Sequence, residues 1–557
     1  KNRLRVSSKS SEGLRHTGAM QHTQALRFAL SLWPSTAALL IAGLLTGCSL
    51  PPMPDRTASQ SLSTEAATQS RLGQALAPLQ QAHPKLSGIH PLSNAYAAYA
   101  ARALLARAAQ HTLDVQYYIW RNDTTGHLLL NELLQAANRG VRVRLLLDDG
   151  GTAGMDATLA TLDQHPHIEV RLFNPFAVRT PKVLGYVTEF SRTQRRMHNK
   201  GFTADNQASI VGGRNIGDEY FAATDGVLFA DLDVVAVGTV VPDIGRDFDR
   251  YWSSQSAYPS ASLLPPMPEQ AVQQVYSSLQ ADTLRPESQA YIQAVQQSRF
   301  SQDLLSGNLP LEWAAATLVS DDPSKVLSQT GKEDLLLAQL QPAIGTPAQS
   351  LDLISPYFVP TQAGINAFAQ MRAQGIKVRI LTNSLEATDV AAVHAGYEQY
   401  RKPLLKLGVE LYEMRRQIDL QPRNAPKAYG EAPSPAAFSG SKGGVAGSSG
   451  ASLHAKTFAI DGQRLFVRSF NFDPRSALLN TEQGLVILNP KLAQEVSQTL
   501  DQYLPMLAYK VQLDASGKLQ WISETGQLQT FSHDPGTSWF KRAMVRVLSW
   551  LPIEGFL

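Results

Sequence analysis

Two stretches of this 557-residue chain place the same side chains at the same intervals. The first, RRMHNKGFTADNQASIVGGRN, holds His198, Lys200, Asp205 and Asn215; the second, ASLHAKTFAIDGQRLFVRSFN, holds His454, Lys456, Asp461 and Asn471. In both, Lys follows His by two residues, Asp by seven and Asn by seventeen, and Gly213 corresponds to Ser469. A neutral imidazole is a competent nucleophile at phosphorus. A phosphodiester is anionic, so attack requires its non-bridging oxygens to be masked, which Lys ammonium and Asn carboxamide donors can do. The leaving alkoxide needs a proton, and a second imidazole can supply it. A lone His-x-Lys is more often a satisfied core or surface feature; it is the repetition at matched spacing that favours chemistry. A metal site is disfavoured, because the lysines would repel a cation and no further carboxylates or histidines cluster at ligand spacing. No cofactor and no metal are expected.

The elements around the motifs must bring these groups together. Residues two apart on a strand share a face, so His198 projects with Lys200 and His454 with Lys456. A turn and an apolar return strand then bring each Asn back beside its His. Upstream the chain repeats again: TLDVQYYIW (112–120), a helix through NELLQAANRG (131–140) and VRVRLLLDD (141–149) match SLDLISPYFVP (350–360), INAFAQMRAQG (365–375) and IKVRILTNS (376–384). Strands alternating with helices predict parallel pairing in an α/β sheet. Gly140 and Gly375 are expected helix C-caps. A Gln- and Ser-rich stretch, 266–345, reads as a helical linker. The run APSPAAFSGSKGGVAGSSGAS (432–452) reads as a mobile loop that ends just before the second motif.

Hydrophobic residues make up 43% and charged residues 17%, which excludes a disordered chain. Of the formal charge of +3, residues 1–47 contribute six basic side chains against Glu12, a surplus of +5, so the remainder carries −2. That remainder lacks the basic surplus of a nucleic-acid enzyme, and no nucleic-acid partner is expected. The single cysteine, Cys48, rules out an internal disulfide. It follows ALRFALSLWPSTAALLIAGLLTG, which has a positive residue, an apolar run interrupted by Pro34 and a small-residue end, and reads as a secretory signal with a start at Met20. The ending Leu-Thr-Gly-Cys resembles a bacterial lipobox, which implies lipidation of Cys48, a Gram-negative lipoprotein and, with Ser49 next, the outer membrane. Residues 48–85, rich in Pro, Ser, Gln and Ala, read as a lipid-anchored linker, with ordered structure from about Ile89.

The paired motifs are those of the phospholipase D superfamily, and LDVQYYIW, VRVRLLLDD, RLFNPF, RRMHNK, VGGRNIGDEYF, ASLHAKTF and LPIEG resemble bacterial cardiolipin synthases of the C type. That resemblance implies an α/β fold of two pseudo-symmetric halves, 86–265 and 346–510, each a mixed β-sheet flanked by helices, sharing one active site. It also implies an enzyme that transfers a phosphatidyl group by way of a phosphohistidine, without metal. The acceptor would be phosphatidylglycerol or water, and phosphatidylethanolamine is a further lipid substrate to consider. Carried onto this chain, His198 is the expected nucleophile and His454 the general acid and later base, although two nearly equivalent halves also allow the reverse. Family members use an acid after each Asn to orient a histidine; Glu482 fits, and alignment of the flanking residues selects Asp231, with Asp233 as the alternative. Asp205 and Asp461 are expected to brace turns. The lipobox departs from the C type and would put the site on the periplasmic side. Alternatives are a phosphodiesterase or nuclease on the same fold, or an idle lipid-binding lipoprotein. In the tail, 511–557, the stretch TSWFKRAMVRVLSWLPIEGF (537–556) reads as an amphipathic helix, either at a membrane interface bearing anionic lipid or docked on the core with its charges solvated.

Overall fold

The computed structural model describes residues 50–224, 228–416, 451–551 and 554–557; the signal segment with Met20, Cys48 and nearly all of the 432–452 run lie outside the described residues. Segment Phe176–Thr188, with its helix Lys182–Thr188, belongs to one compact unit, and Met53–Pro175 with Glu189–Leu557 forms the other. Both motifs lie in the second unit.

In the first half the apolar strands Thr112–Tyr117, Arg142–Asp148 and Ile168–Phe173 pair in parallel. They are joined by helices Thr124–Asn138 and Asp156–Asp163. On the other side of Thr112–Tyr117 run Gly201–Ala204, Ala208–Gly212, Asp233–Gly238 and Ser87–Leu92, all antiparallel. The second half repeats the order. Ser350–Ile354, Lys377–Asn383 and Glu410–Met414 are parallel, and Thr457–Ile460, Arg464–Arg468 and Gln483–Leu488 continue antiparallel. The predicted parallel pairing thus holds for the strands ahead of each motif. The strands that follow each His-x-Lys pair form a hairpin, because a connection of a few residues can only reverse the chain. Gly140 and Gly375 take φ of 91° and 80°, and the next amide N–H, of Val141 or Ile376, reaches back to Ala136 or Met371 in a Schellman closure.

Two stretches differ from the sequence reading. The 266–345 linker is helical over Glu269–Leu284, Pro286–Gln296, Arg299–Leu305 and Leu336–Ile344, but it also contains the strand Glu312–Ser320. The front of that strand pairs with Ser87–Ile89 and its back with Gln483–Leu488, so it joins the two sheets. Each half would otherwise expose a row of unpaired backbone groups there, and one extended segment satisfies both. Beneath this join, Val211, Val234 and Ile244 of the first half meet Leu465, Val467 and Leu485 of the second in a shared apolar layer.

The second difference is the linker before Ile89. From Met53 on it is docked rather than free: Ser59 and Thr57 carbonyls accept from Arg144 and Arg171, the Ser61 N–H donates to Asp249, and helices Thr64–Gln69 and Arg71–Ala82 follow. Arg144 and Arg171 are buried on adjacent strands and carry more donors than Asp114 and Glu169 can absorb. Buried donors require acceptors, and the polar linker supplies them.

The tail begins inside the sheet. Ala508–Leu513 pairs antiparallel with Glu410–Met414, and Leu519–Ser523 and Gln529–Phe531 extend the edge. The helix Trp539–Leu548 follows, N-capped by the Ser538 hydroxyl. Among the described residues no helix is long and apolar enough to cross a membrane.

Candidate active site

Each motif is threaded into the other half. Asp148, at the end of its strand, accepts from Arg196 and from the Met197 N–H at 2.8 Å, which fixes the approach to His198. The His198 N–H then donates to Thr481 O at 2.9 Å, beside Glu482, and the Thr481 N–H donates to Arg196 O. In the second half, Ala451–Leu453 lies parallel to Leu228–Ala230, and the His454 N–H donates to Ala230 O at 2.8 Å, beside Asp231. His198, Lys200, His454 and Lys456 sit in the residues just ahead of the hairpin strands and not within them.

The crossing pairs each histidine with a carboxylate of the opposite half. His198 Nδ1–H donates to Glu482, 3.0 and 2.9 Å from its two oxygens. His454 Nδ1–H donates to Asp231 Oδ2 in a short hydrogen bond. Asp233, the alternative, instead takes Arg102 and Arg214. A carboxylate can only accept, so the proton of each neutral ring is held at Nδ1 and Nε2 carries the lone pair. Glu482 is itself held by the Ser469 hydroxyl and by its own N–H on Asp321. Ser469 stands where the first half has Gly213, and that difference was readable in the motif.

Both lysines are almost fully buried, and each Nζ donates to the carbonyl of its own motif's histidine. Lys456 Nζ also lies 3.0 and 3.3 Å from the two ring nitrogens of His454. Asn215 is engaged within the protein: its Oδ1 accepts from the Ile119 N–H and its Nδ2 donates to the Tyr220 hydroxyl. Asn471 Oδ1 is buried without a hydrogen-bond partner among the described residues. Asp205 and Asp461 stand away from the imidazoles. With φ of 47° and 55° they cap the hairpin turns and accept from three consecutive backbone N–H groups each, of Gln110, His111 and Thr112, and of Ala348, Gln349 and Ser350. Three rings absent from the sequence reading line the site: the edge of Tyr118 meets His198, while Tyr220 and Phe229 meet His454. No interval in the sequence marks them, because they come from different elements of the first half.

Burial decides the protonation states. It lowers the His198 imidazole to about 4, against the pull of Glu482 and with the help of Lys200. His454 is lowered by burial and by Lys456, opposed by Asp231. Burial would push the Glu482 carboxyl up, but His198, Lys200 and Ser469 outweigh it and hold it at about 2. Burial likewise opposes ionisation of Asp231, and His454 and Lys456 hold it well below the usual carboxylate range. Desolvation brings Lys200 to about 7 and Lys456 to about 8. The interior of the free enzyme thus holds neutral imidazoles with their lone pairs at Nε2 beside two ammonium groups whose protons are loosely kept. That arrangement can attack an anionic phosphorus centre and stabilise its charge. Among the described residues no three His, Cys, Asp or Glu side chains are grouped to hold a metal ion.

A family described as "Cardiolipin synthase, PLD-like domain" matches the chain twice, over residues 103–252 and 340–504. The chain is 47% identical over 490 residues to cardiolipin synthase C of Escherichia coli (strain K12), covering 87% of this chain and 100% of that one. It is 24% identical to cardiolipin synthase A of Cronobacter sakazakii, over 71% of this chain and 65% of that protein. The solved structure of phosphatidylserine synthase from Haemophilus influenzae shares the fold, with a TM-score of 0.52 at 13% identity, over 87% of this chain and 100% of that one. The duplicated match falls on the two halves whose motifs meet at the crossed histidine–carboxylate pairs, and the chain belongs to the cardiolipin synthase, PLD-like domain family as a phosphatidyltransferase of the phospholipase D superfamily.

Proposed function

We propose that this protein transfers a phosphatidyl group through a phosphohistidine, to the hydroxyl of phosphatidylglycerol in cardiolipin synthesis or to water. The observation that carries this is the crossed pairing of His198 with Glu482 and His454 with Asp231. In the first step His198 Nε2 attacks phosphorus, the bond to the leaving alkoxide breaks, and His454, which takes up a proton at Nε2 from solvent as the anionic phosphodiester binds beside it, gives that proton to the alkoxide. In the second step neutral His454 takes the acceptor's proton, the acceptor oxygen attacks phosphorus, and the P–N bond breaks to free His198. Glu482 and Asp231 orient the rings and stabilise imidazolium character; Lys200 and Lys456 neutralise the non-bridging oxygens. The low position of His198, at about 4, supports it as the neutral nucleophile.

The likeness to cardiolipin synthase C and the −2 charge of the remainder after residue 47 support a lipid and not a nucleic acid as the phosphodiester. In this reading lipidated Cys48 and the C-terminal helix hold the enzyme at the periplasmic side of the outer membrane of a Gram-negative bacterium. The test is incubation with phosphatidylglycerol, with and without phosphatidylethanolamine, followed by product identification. Cardiolipin or phosphatidic acid supports the proposal as synthase or lipase; no product from either mixture contradicts it.

A further inference from the structure

The helix Trp539–Leu548 sits on the second half the opposite way round from an ordinary surface helix. Its buried residue is Val545, packed with Leu385 and Ala395. Lys541 Nζ donates to Leu385 O at 2.6 Å and Arg546 pairs with Glu398 at 3.3 Å. The outward side carries Phe540, Met544 and Val547, 40–65% exposed, with Trp539 at 73% at its start and Trp550 and Leu551 at 76% and 51% just past its end. The intervals of four and three residues put Phe540, Met544 and Val547 on one stripe. A helix of a water-soluble surface turns such a stripe inward, and a contiguous apolar stripe left outside marks an interaction surface.

What covers it is argued from its chemistry and its place. The helix carries Lys541, Arg542 and Arg546 and no acid, which complements an anionic surface. Tryptophans at both ends suit headgroup depth, where an amphipathic ring meets both water and hydrocarbon. The helix packs on Ala391–Glu398, which starts just after Asp389. Asp389 accepts from the Tyr357 hydroxyl at 2.8 and 2.9 Å, and the Tyr357 carbonyl accepts from the Ser355 hydroxyl, which in turn accepts from the Phe472 N–H beside Asn471. The stripe is therefore tied through one helix and one loop to Asn471 of the active site.

We infer that this stripe is a docking surface for an anionic phospholipid bilayer and holds the active site at the lipid it acts on. The inference rests on the phosphatidyl-transfer reading for what the docked site then does, but the docking has its own readout. Vesicles of phosphatidylglycerol brominated on the acyl chains quench tryptophans that enter the bilayer. The protein from Cys48 on, which has lost Trp33 with the signal and keeps six of the seven tryptophans, is expected to show quenching that is lost in Trp539→Phe/Trp550→Phe. Equal quenching in that variant, or none in either protein, overturns the inference. A second variant, Phe540→Ser/Met544→Ser/Val547→Ser, removes apolar contact and is expected to slow turnover of vesicle lipid on the order of tenfold or more. Turnover of a short-chain, monomerically dispersed phosphatidylglycerol is expected to be unchanged. Equal loss on both substrates, or a dimer of the full chain that this variant splits without changing vesicle quenching, also overturns it. A chain that turns over neither substrate contradicts the proposed function, while quenching still decides the docking.

Discussion

Glu482 in the second half holds the Nδ1–H of His198 in the first at 2.9 Å, across 284 residues of sequence. Neither half therefore contains a complete histidine–carboxylate pair. Glu482→Gln keeps the shape and removes the charge that favours an imidazolium at His198. By analogy with triad carboxylates, kcat is expected to fall roughly 10²- to 10⁴-fold with KM little changed. Because Glu482 raises the His198 pKa against burial, the residual acid limb of kcat/KM is expected to move to lower pH. An unchanged kcat would show that the contact is structural only.

The free enzyme's pH dependence follows from four buried groups; His454 must be protonated to serve the leaving alkoxide and is lowered by burial, so its deprotonation opens the alkaline limb. His198 is neutral above about 4, so the acid limb of kcat/KM rises near that value. Lys200 and Lys456 must be charged to mask phosphate oxygens; they lose their protons as pH rises through about 7 and about 8. A bell is expected whose alkaline limb begins with His454 below the ordinary imidazole value and steepens through the lysine range, and Lys200→Arg, which stays charged, is expected to remove one step of that steepening. An alkaline limb that first appears near the ordinary lysine value would contradict the buried-ammonium account.

Asp205 and Asp461 each hold three backbone N–H groups at a hairpin turn, and a role in the fold is the expectation to test. Asp205→Ala strands three backbone N–H groups and places Ala at φ of 47°, so a loss of about 2–4 kcal/mol in stability is expected. Asp205→Asn tolerates the left-handed backbone, keeps one acceptor and should recover part of that loss. Chemical denaturation beside kcat of the folded fraction checks this; a kcat collapse without loss of stability would place Asp205 in the chemistry.

Lipidation of Cys48 is checked by mass spectrometry of the membrane-extracted protein. The expected N-terminus is an acylated Cys48, and Cys48→Ser should abolish acylation. An unmodified N-terminus upstream of Cys48 in membranes would remove the anchor from the account.

The matched intervals of the two motifs were legible because chemistry needs fixed residue types on the short segment that leads into a hairpin and on its return strand. The two-half α/β architecture was legible because strand–helix–strand patterns repeat around them. The cross-threading was not: nothing within one motif records that Thr481 pairs with Arg196 and His198, or that Ala230 receives His454. The docked segment after Met53 was misread because its composition is that of a tether. Its order comes from buried Arg144 and Arg171, whose unmet donors no local pattern reveals. The strand Glu312–Ser320 was hidden in a helical stretch because its need arises from two distant sheet edges.

The most direct test of the account is to trap the intermediate. The enzyme and its His454→Ala variant are incubated with phospholipid labelled at phosphorus, quenched in base and mapped by mass spectrometry. The account predicts base-stable, acid-labile label on the peptide containing His198, enriched in His454→Ala if release is slowed more than attack, and absent in His198→Ala. Label on any other residue, or turnover that survives His198→Ala, would contradict it.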